Sequence, residues 1–267
     1  MLKDITIGQY FPVESVLHKM DPRFKIIFTI LFVVMLFAGN CVWTLAVGAA
    51  FVLMVQILSK IPMKMSWRSI KPILPILVFT AALNLLFIDS GNVLWEWKIF
   101  KITEGGITTS VFMIVRIVLL IIGTSMLTYT TSPILLTDAI EALLSPLKVI
   151  KFPVHEMAMM MSIALRFIPT LLEETDKIMS AQKARGASLD SGNAMQRIRA
   201  MIPILIPLFV SAFRRAEELA TAMECRCYRG GEGRTRLRQL KAAGRDYIGL
   251  VICLLFTAAS VTLNILQ

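Results

Sequence analysis

Charge is scarce in this chain. Only 17% of its 267 residues are charged, against 56% hydrophobic. A soluble domain of this length needs a polar skin that such a composition cannot supply, so much of the surface must face lipid. Cysteine and histidine are scarce as well. The four cysteines, Cys41, Cys225, Cys227 and Cys253, stand at no framework spacing, which excludes a disulfide scaffold. His18 and His155 follow no metal-ligand pattern and read as interfacial or capping residues. Cys225 and Cys227 would point about 200° apart on a helix, so neither a metal site nor a cofactor is expected. The cluster Gly230, Gly231, Gly233 runs into Arg234 and Thr235 and lacks the lysine and spacing of a phosphate-cradling loop. Any ATP-driven work therefore falls to other chains. No nucleophile with its base, paired carboxylates or metal motif stands in the apolar segments, which argues against a membrane enzyme.

The net charge of +10 belongs to basic residues that adjoin apolar runs. A polybasic surface beside a bilayer meets anionic lipid first, so no nucleic-acid partner is expected. The opening MLKDITIGQYFPVESVLHKMDPRFK carries acids, a proline and no early apolar core, so it is not read as a cleavable signal peptide. Insertion is expected to use the first span.

From Ile26 to Ser59 there are 34 residues without a charge. As one helix they would reach roughly 50 Å, against a hydrocarbon core of roughly 30 Å. The run must fold back, and Gly39 and Asn40 are the natural turn. Five spans follow: Ile26 to Ala38 extended by a few residues, Val42 to Leu58, Pro72 to Ile88, about Ile107 to Thr130, and Ile248 to Leu266. Lysines and arginines number four before the first span, four between the second and third, two between the third and fourth, and seventeen between the fourth and fifth. That bias puts the N-terminus and the long basic segment in the cytoplasm, the C-terminus outside, and the loop bearing Trp95 and Trp97 at the outer interface. Arg116 lies inside the fourth span, where an arginine faces a partner, bonds carbonyls within its own chain or snorkels outward.

The segment 131–247 is too polar to span repeatedly and too apolar for an ordinary tail. It reads as a cytoplasmic domain of amphipathic helices between a four-span domain, 1–130, and a C-terminal span, 248–267. A short helix is expected from Ile134 to Ile150, with Ser132 as N-cap, Pro133 at the first turn and an interruption near Ser145 and Pro146. A second runs from Val154 to about Arg185 with a kink at Pro169. On it Ile168, Leu171, Leu172, Thr175, Ile178, Met179 and Gln182 form one stripe, opposed by Glu173, Glu174, Asp176, Lys177 and Lys183. A third runs from about Gln196 to Cys227, with Pro203 and Pro207 early. Phe209, Ala212, Phe213, Ala216, Leu219, Ala220 and Met223 form one stripe on it, opposed by Arg214, Arg215, Glu217 and Glu218. The two long helices are expected to cross closely at the alanines.

A shift of 41 residues lays IMSAQKARG, Ile178 to Gly186, over LATAMECRC, Leu219 to Cys227, and Arg185 over Arg226. Each arginine is either a cation complementing its own helix dipole, with Gly186 as a left-handed cap, or a planar fork offered to a partner's carboxylate. Two matched tips suit a two-lobed partner.

These residues carry a resemblance that extends over most of the chain. MDPRFK at Met20 to Lys25, PVHEMAMMMSIALRFIPTLLEETDKIMSAQKARG at Pro153 to Gly186, PLFVSAFRRAEELATAME at Pro207 to Glu224 and YRGGEGRT at Tyr228 to Thr235 resemble the T component of energy-coupling factor (ECF) transporters. The resemblance implies an all-α polytopic membrane protein whose coupling helices dock, by two Ala-Arg-Gly-type signatures, into two ATPase subunits. It also implies a separate membrane S component that captures a vitamin or micronutrient. The first signature is Ala184, Arg185, Gly186; the second is Cys225, Arg226, Cys227, which keeps the arginine and departs from the glycine. A conventional ABC permease, or a T component dedicated to a metal ion, is the alternative reading.

Overall fold

The computed structural model describes residues 10–39, 41–88, 93–97, 100–187, 193–230 and 240–265, without the side chains of 93–102, 194, 197 and 265. Asn40, the side chains of Trp95 and Trp97, and the run Gly231 to Thr235 lie outside the described residues. The chain divides into two compact units. One comprises Gly8–Ala139 with Gln239–Gln267, the other Met1–Ile7 with Ile140–Arg238.

In the first unit, α1 (Pro22–Ala38) starts where Asp21 accepts a hydrogen bond from the Arg23 amide at 2.9 Å, with Pro22 at the first helical position. That is how the sequence Asp-Pro opens a helix: the carboxylate satisfies an orphan amide and the ring presets φ. It carries α1 back past the expected Ile26. After the turn at Gly39 follow α2 (Val42–Ser59), α3 (Met63–Ile70), α4 (Leu74–Phe87), α5 (Glu104–Thr130) and, at the C-terminal end, α9 (Gly244–Ile265). The helices α2, α5 and α9 are each long and apolar enough to cross a membrane, and α3 with α4, bent by 59°, can make a fourth crossing. The remaining expected span, α1, has 17 residues, about 25 Å of helix.

Between α4 and α5 the structure departs from the expected loop. Val93–Trp97 (β1) and Phe100–Thr103 (β2) pair antiparallel, with Val93 opposite Thr103 and Trp97 opposite Phe100. The hairpin ends where Thr103 caps α5: its hydroxyl donates to the Ile88 carbonyl at 2.7 Å and accepts from the Gly106 amide at 3.1 Å.

The core of this unit is Phe32, Met35, Leu36, Leu45, Phe51, Val52, Leu119 and Cys253. Close approach depends on small residues, as expected for helices in lipid. A Cβ on Gly123 would lie 2.2 Å from the Phe32 ring, and one on Gly48 2.6 Å from Leu36. Large apolar side chains face outward as well as inward: Ile30, Phe37, Ile57, Phe79 and Phe87 are exposed, while the small polar residues Thr44, Ser59, Ser110 and Ser260 are buried. An apolar exterior is what a lipid solvent selects. Arg116 bonds within its own chain: its guanidinium donates to the Gly39 carbonyl at the end of α1 and sits 4.7 Å over the Phe112 ring. Asn264 Nδ2 donates to the Ala38 carbonyl at 3.1 Å, so two polar side chains cover the terminal carbonyls of α1.

The division between the units falls within α6 (Pro133–Leu144), which Ser132 caps as expected. At the interruption expected near Ser145 and Pro146 it gives way to a 3-10 turn, Ser145–Ile150. The rest of the second unit is two long helices, α7 (Val154–Ala184) and α8 (Ala194–Cys225). Both run through their prolines, Pro169 in α7 and Pro203 and Pro207 in α8, where the missing amide leaves one carbonyl four residues back without its partner. At the start of α8 the Asn193 amide donates to Gln196 Oε1 at 3.0 Å. His155, at the start of α7, has its Nδ1 3.0 Å from Glu141 Oε1.

Candidate docking tips

The six residues expected at the helix ends occupy two tips of the same construction. At the end of α7, Arg185 is the C-cap with φ −84° and ψ 5°, and Gly186 follows at φ +87°. The Gly186 amide donates to the Lys183 carbonyl at 3.0 Å, and the Ala187 amide to the Gln182 carbonyl at 3.0 Å. These are the two bonds of a Schellman motif, which closes a helix by turning one residue left-handed.

At the end of α8, Arg226 is the C-cap with φ −91° and ψ 12°, and Cys227 follows at φ +55°. The Cys227 amide donates to the Glu224 carbonyl at 2.8 Å and the Tyr228 amide to the Met223 carbonyl at 3.0 Å. The bonds are the same, shifted by 41 residues. Each arginine therefore leaves its helix from the same backbone conformation, and the lost glycine changes the cost of the tip rather than its shape. Ala184, Arg185, Gly186, Cys225, Arg226 and Cys227 are all exposed. Neither arginine enters a salt bridge among the described residues.

A β-carbon in the left-handed region costs roughly 1–2 kcal/mol, of which glycine's greater freedom in the unfolded chain returns part. The expected results are reciprocal. Cys227→Gly slows amide hydrogen exchange at Tyr228, reflecting about 0.5–1 kcal/mol of added tip stability. Gly186→Ala, which meets nothing within 4 Å, speeds exchange at Ala187 through backbone strain alone. Equal exchange in Cys227→Gly and the parent would show that the left-handed cap carries no strain.

The contact between α7 and α8 keeps Ala212, Leu219 and Met223 of the expected stripe on the inner side and leaves its phenylalanines outside. The face of α8 turned inward runs through Ile204, Leu208, Ser211, Arg215, Leu219 and Met223, while Phe209 is 60% and Phe213 73% exposed. Glu174 and Arg215, expected on the outer faces, form the tie between the helices. Arg215 Nη2 donates to Glu174 Oε2 at 3.0 Å, and the Ser211 hydroxyl donates to Glu174 Oε1. A carboxylate held by two donors needs both in place, so these side chains fix the register of the pair.

Glu174 and Arg215 are themselves 41 residues apart. Gln182 of α7 reaches the Pro203 carbonyl of α8 at 3.3 Å. Its counterpart Met223 lines a groove with Met159 and Ile163, on either side of Ser162, the counterpart of Pro203. The helices thus run antiparallel about an approximate two-fold axis beside Glu174 and Arg215, which places the Arg185 and Arg226 tips at opposite ends of the pair. Extending the 41-residue shift from the tips to Glu174 and Arg215 would have exposed this contact in the sequence.

Residues 13–237 match the family described as CbiQ, cobalt transport protein. Among individual relatives, the chain is 55% identical over 256 residues to the energy-coupling factor transporter transmembrane protein EcfT of Ruminiclostridium cellulolyticum, covering 96% of each. It is 52% identical over 257 residues to the protein of the same name from Acidaminococcus fermentans, covering 96% of each. To that of Bacillus subtilis it is 48% identical over 259 residues, covering 97% of each.

Proposed function

This chain belongs to the CbiQ family of transport proteins, and on that premise we propose that it is the transmembrane coupling component of an energy-coupling factor importer. It works in a membrane complex with ATPase and S components. Two ATPase subunits dock, one on each of the tips Ala184-Arg185-Gly186 and Cys225-Arg226-Cys227. The observation that carries this reading is the pair of matched caps at opposite ends of one antiparallel helix pair. A two-fold arrangement of exposed arginines fits two equivalent acceptors, and a planar guanidinium suits a partner's carboxylate.

The exposed stripe of Ile202, Ile206, Phe209, Val210 and Phe213 on α8 is larger than a soluble surface tolerates. It suits the apolar flank of the S component, which captures the vitamin or micronutrient. Closure of the ATPases would pull on the tips, and the Glu174–Arg215 tie would make the helix pair respond as one body. The chain itself then carries neither hydrolysis nor the substrate path. The lysine and arginine bias supports a cytoplasmic N-terminus and cytoplasmic tips with the C-terminus outside. An impermeant reagent that labelled a cysteine placed at Ser191 in intact cells would reverse that orientation.

The test of the function is purification of the tagged full chain from its own membrane. The expected result is a complex with two ATP-hydrolysing subunits and a small membrane protein, with ATP turnover absent from the chain alone. Uptake into vesicles by this chain without ATPases would overturn the reading in favour of a conventional permease.

A further inference from the structure

Between α2 and α4 the chain concentrates positive charge that nothing acidic offsets. From Pro22 to Ile88 there is no Asp or Glu, while Lys60, Lys64, Arg68 and Lys71 fall in one short stretch. On α3, Lys64, Arg68 and Lys71 stand at i, i+4 and i+7, which puts them on one face. All three are exposed. Met63 and Trp67 occupy the adjoining strip and are 68% and 63% exposed, while Ser66 and Ile70 are buried on the side behind.

That buried side is fixed to the membrane helices. The Ser66 hydroxyl donates to Gln56 Oε1 at 3.0 Å, and Gln56 Nε2 donates to the Ile61 carbonyl at 2.7 Å. From α5, Tyr129 donates to the Met65 carbonyl at 3.2 Å and is itself bonded to the Ser69 hydroxyl. Helix α3 is therefore a rigid platform set at 59° to α4, a few residues from the ends of two spans. Its three exposed cations, which the hydrocarbon core rejects, put it at the headgroup end of the α3–α4 crossing.

Between α2, α3 and α5 lies an open cleft of about 390 Å³, within the roughly 300–1,000 Å³ of small-molecule pockets. Val52, Leu53, Ile70 and Ile122 line its apolar wall, with Trp67 and Lys64 at its edge. The cleft wall is apolar apart from the mutually bonded Gln56 and Ser66, its edge carries Lys64 and an indole, and Arg68 and Lys71 share the face of Lys64; together these match one kind of occupant at this depth.

We propose that α3 and this cleft bind an anionic phospholipid of the membrane, with the phosphate on Lys64, Arg68 and Lys71 and an acyl chain against Val52, Leu53 and Ile122. Basic residues beside a bilayer attract anionic lipid through their charge, and amphipathic helices bury their apolar side chains at the acyl boundary. The bound lipid completes the apolar surface that the cleft between α2, α3 and α5 leaves open.

The test uses the full chain in its purified complex, exchanged into vesicles of phosphatidylcholine containing about one third phosphatidylglycerol. After re-extraction, the lipid retained is measured by mass spectrometry. The parent is expected to retain phosphatidylglycerol preferentially. Lys64→Gln, Arg68→Gln and Lys71→Gln together are expected to reduce that preference on the order of 100-fold. Lys64→Arg with Lys71→Arg is expected to keep it. Leu53→Trp, at an exposed position that folding tolerates, is expected to fill the cleft and lose the lipid with the cations intact. An unchanged preference in the triple variant overturns the proposal, as does full lipid retention in Leu53→Trp.

Discussion

With Arg185→Ala and Arg226→Ala combined, the ATPase subunits are expected to be lost from the purified complex and uptake to fall to background, while the chain still reaches the membrane at its normal level. The size of the effect follows from where the bonds lie. Both tips are closed by backbone hydrogen bonds, Gly186 and Ala187 to Lys183 and Gln182 in α7, Cys227 and Tyr228 to Glu224 and Met223 in α8. None of these needs a guanidinium, so truncation leaves the caps closed. The interaction of an arginine with its own helix dipole is worth about 0.3–1 kcal/mol, too little to unfold either helix. Truncating one member of a buried, hydrogen-bonded ion pair at an interface instead costs roughly 2–5 kcal/mol, because the partner's acid is left unpaired. Per site that is roughly a 30-fold to several-thousand-fold loss of affinity. Lysine in place of either arginine keeps the charge without the planar fork and is expected to restore binding only partly. If the double alanine variant retains both ATPases and transports normally, the arginines are caps and nothing more. The same readout asks whether the tips are equivalent: Arg185→Ala and Arg226→Ala are expected to cost about the same, since their backbone settings match.

Much of this arrangement can be read from the residue order, and the parts that cannot share one physical cause. Charge-free runs beside basic clusters mark α1, α2 and α9, and an apolar run broken only by Arg116 marks α5, because lipid excludes most charge over a fixed length. Helix ends are legible where a residue has a single use, as Asp21-Pro22 does at the start of α1 and Arg185-Gly186 at the end of α7. Helix faces are harder. Phe209 and Phe213 form an apolar stripe at helical spacing, and periodicity says only that the stripe is buried by something. In the single chain the neighbour contacts the Ser211–Arg215 face instead, leaving the phenylalanines exposed. An amphipathic helix in a multi-subunit protein has more than one face to bury, and the sequence does not say which partner takes which. The stretch Lys60 to Lys71, counted for its charges, reads as a loop, although Met63, Trp67 and the three cations already share helical spacing. The strand Val93–Trp97 was hidden in the same way. Its aromatic and β-branched residues point to a hairpin, while a reading tuned to lipid takes the tryptophans as interface anchors.

Asp246→Ala is expected to be the most damaging single change within the membrane unit, lowering the stability of the detergent-solubilised chain by about 3–5 kcal/mol. Asp246 is 1% exposed in the first turn of α9. Its Oδ1 accepts from the Asp21 amide at 3.1 Å and its Oδ2 from the Ala243 amide at 2.7 Å, so one carboxylate joins the start of α9 to the start of α1 across 225 residues of sequence. Lys25, also buried, lies within electrostatic reach of both Asp246 and Asp21, and its ammonium donates to the Thr130 carbonyl at 2.9 Å and the Thr131 hydroxyl at 3.2 Å at the end of α5. Three helix termini thus meet at a cluster of two buried acids and one buried cation. Removing the carboxylate orphans two backbone amides and takes away one of the two acids facing Lys25, and each of these losses is costly where water cannot substitute. The loss is a large fraction of the roughly 5–15 kcal/mol that stabilises a folded domain. Asp246→Asn keeps the shape and one acceptor oxygen while removing the charge, so about 1–2 kcal/mol is expected for it. Lys25→Met in the Asp246→Ala background is expected to recover part of the stability, since it withdraws the cation whose compensation was lost and fills its place with apolar volume. Thermal unfolding of the four proteins checks the order: parent highest, then Asp246→Asn, then the double variant, then Asp246→Ala. If Asp246→Ala unfolds at the parent's temperature, the termini of α1, α5 and α9 are held by the apolar core around Phe32 and Leu36 alone, and the buried charges are incidental to it.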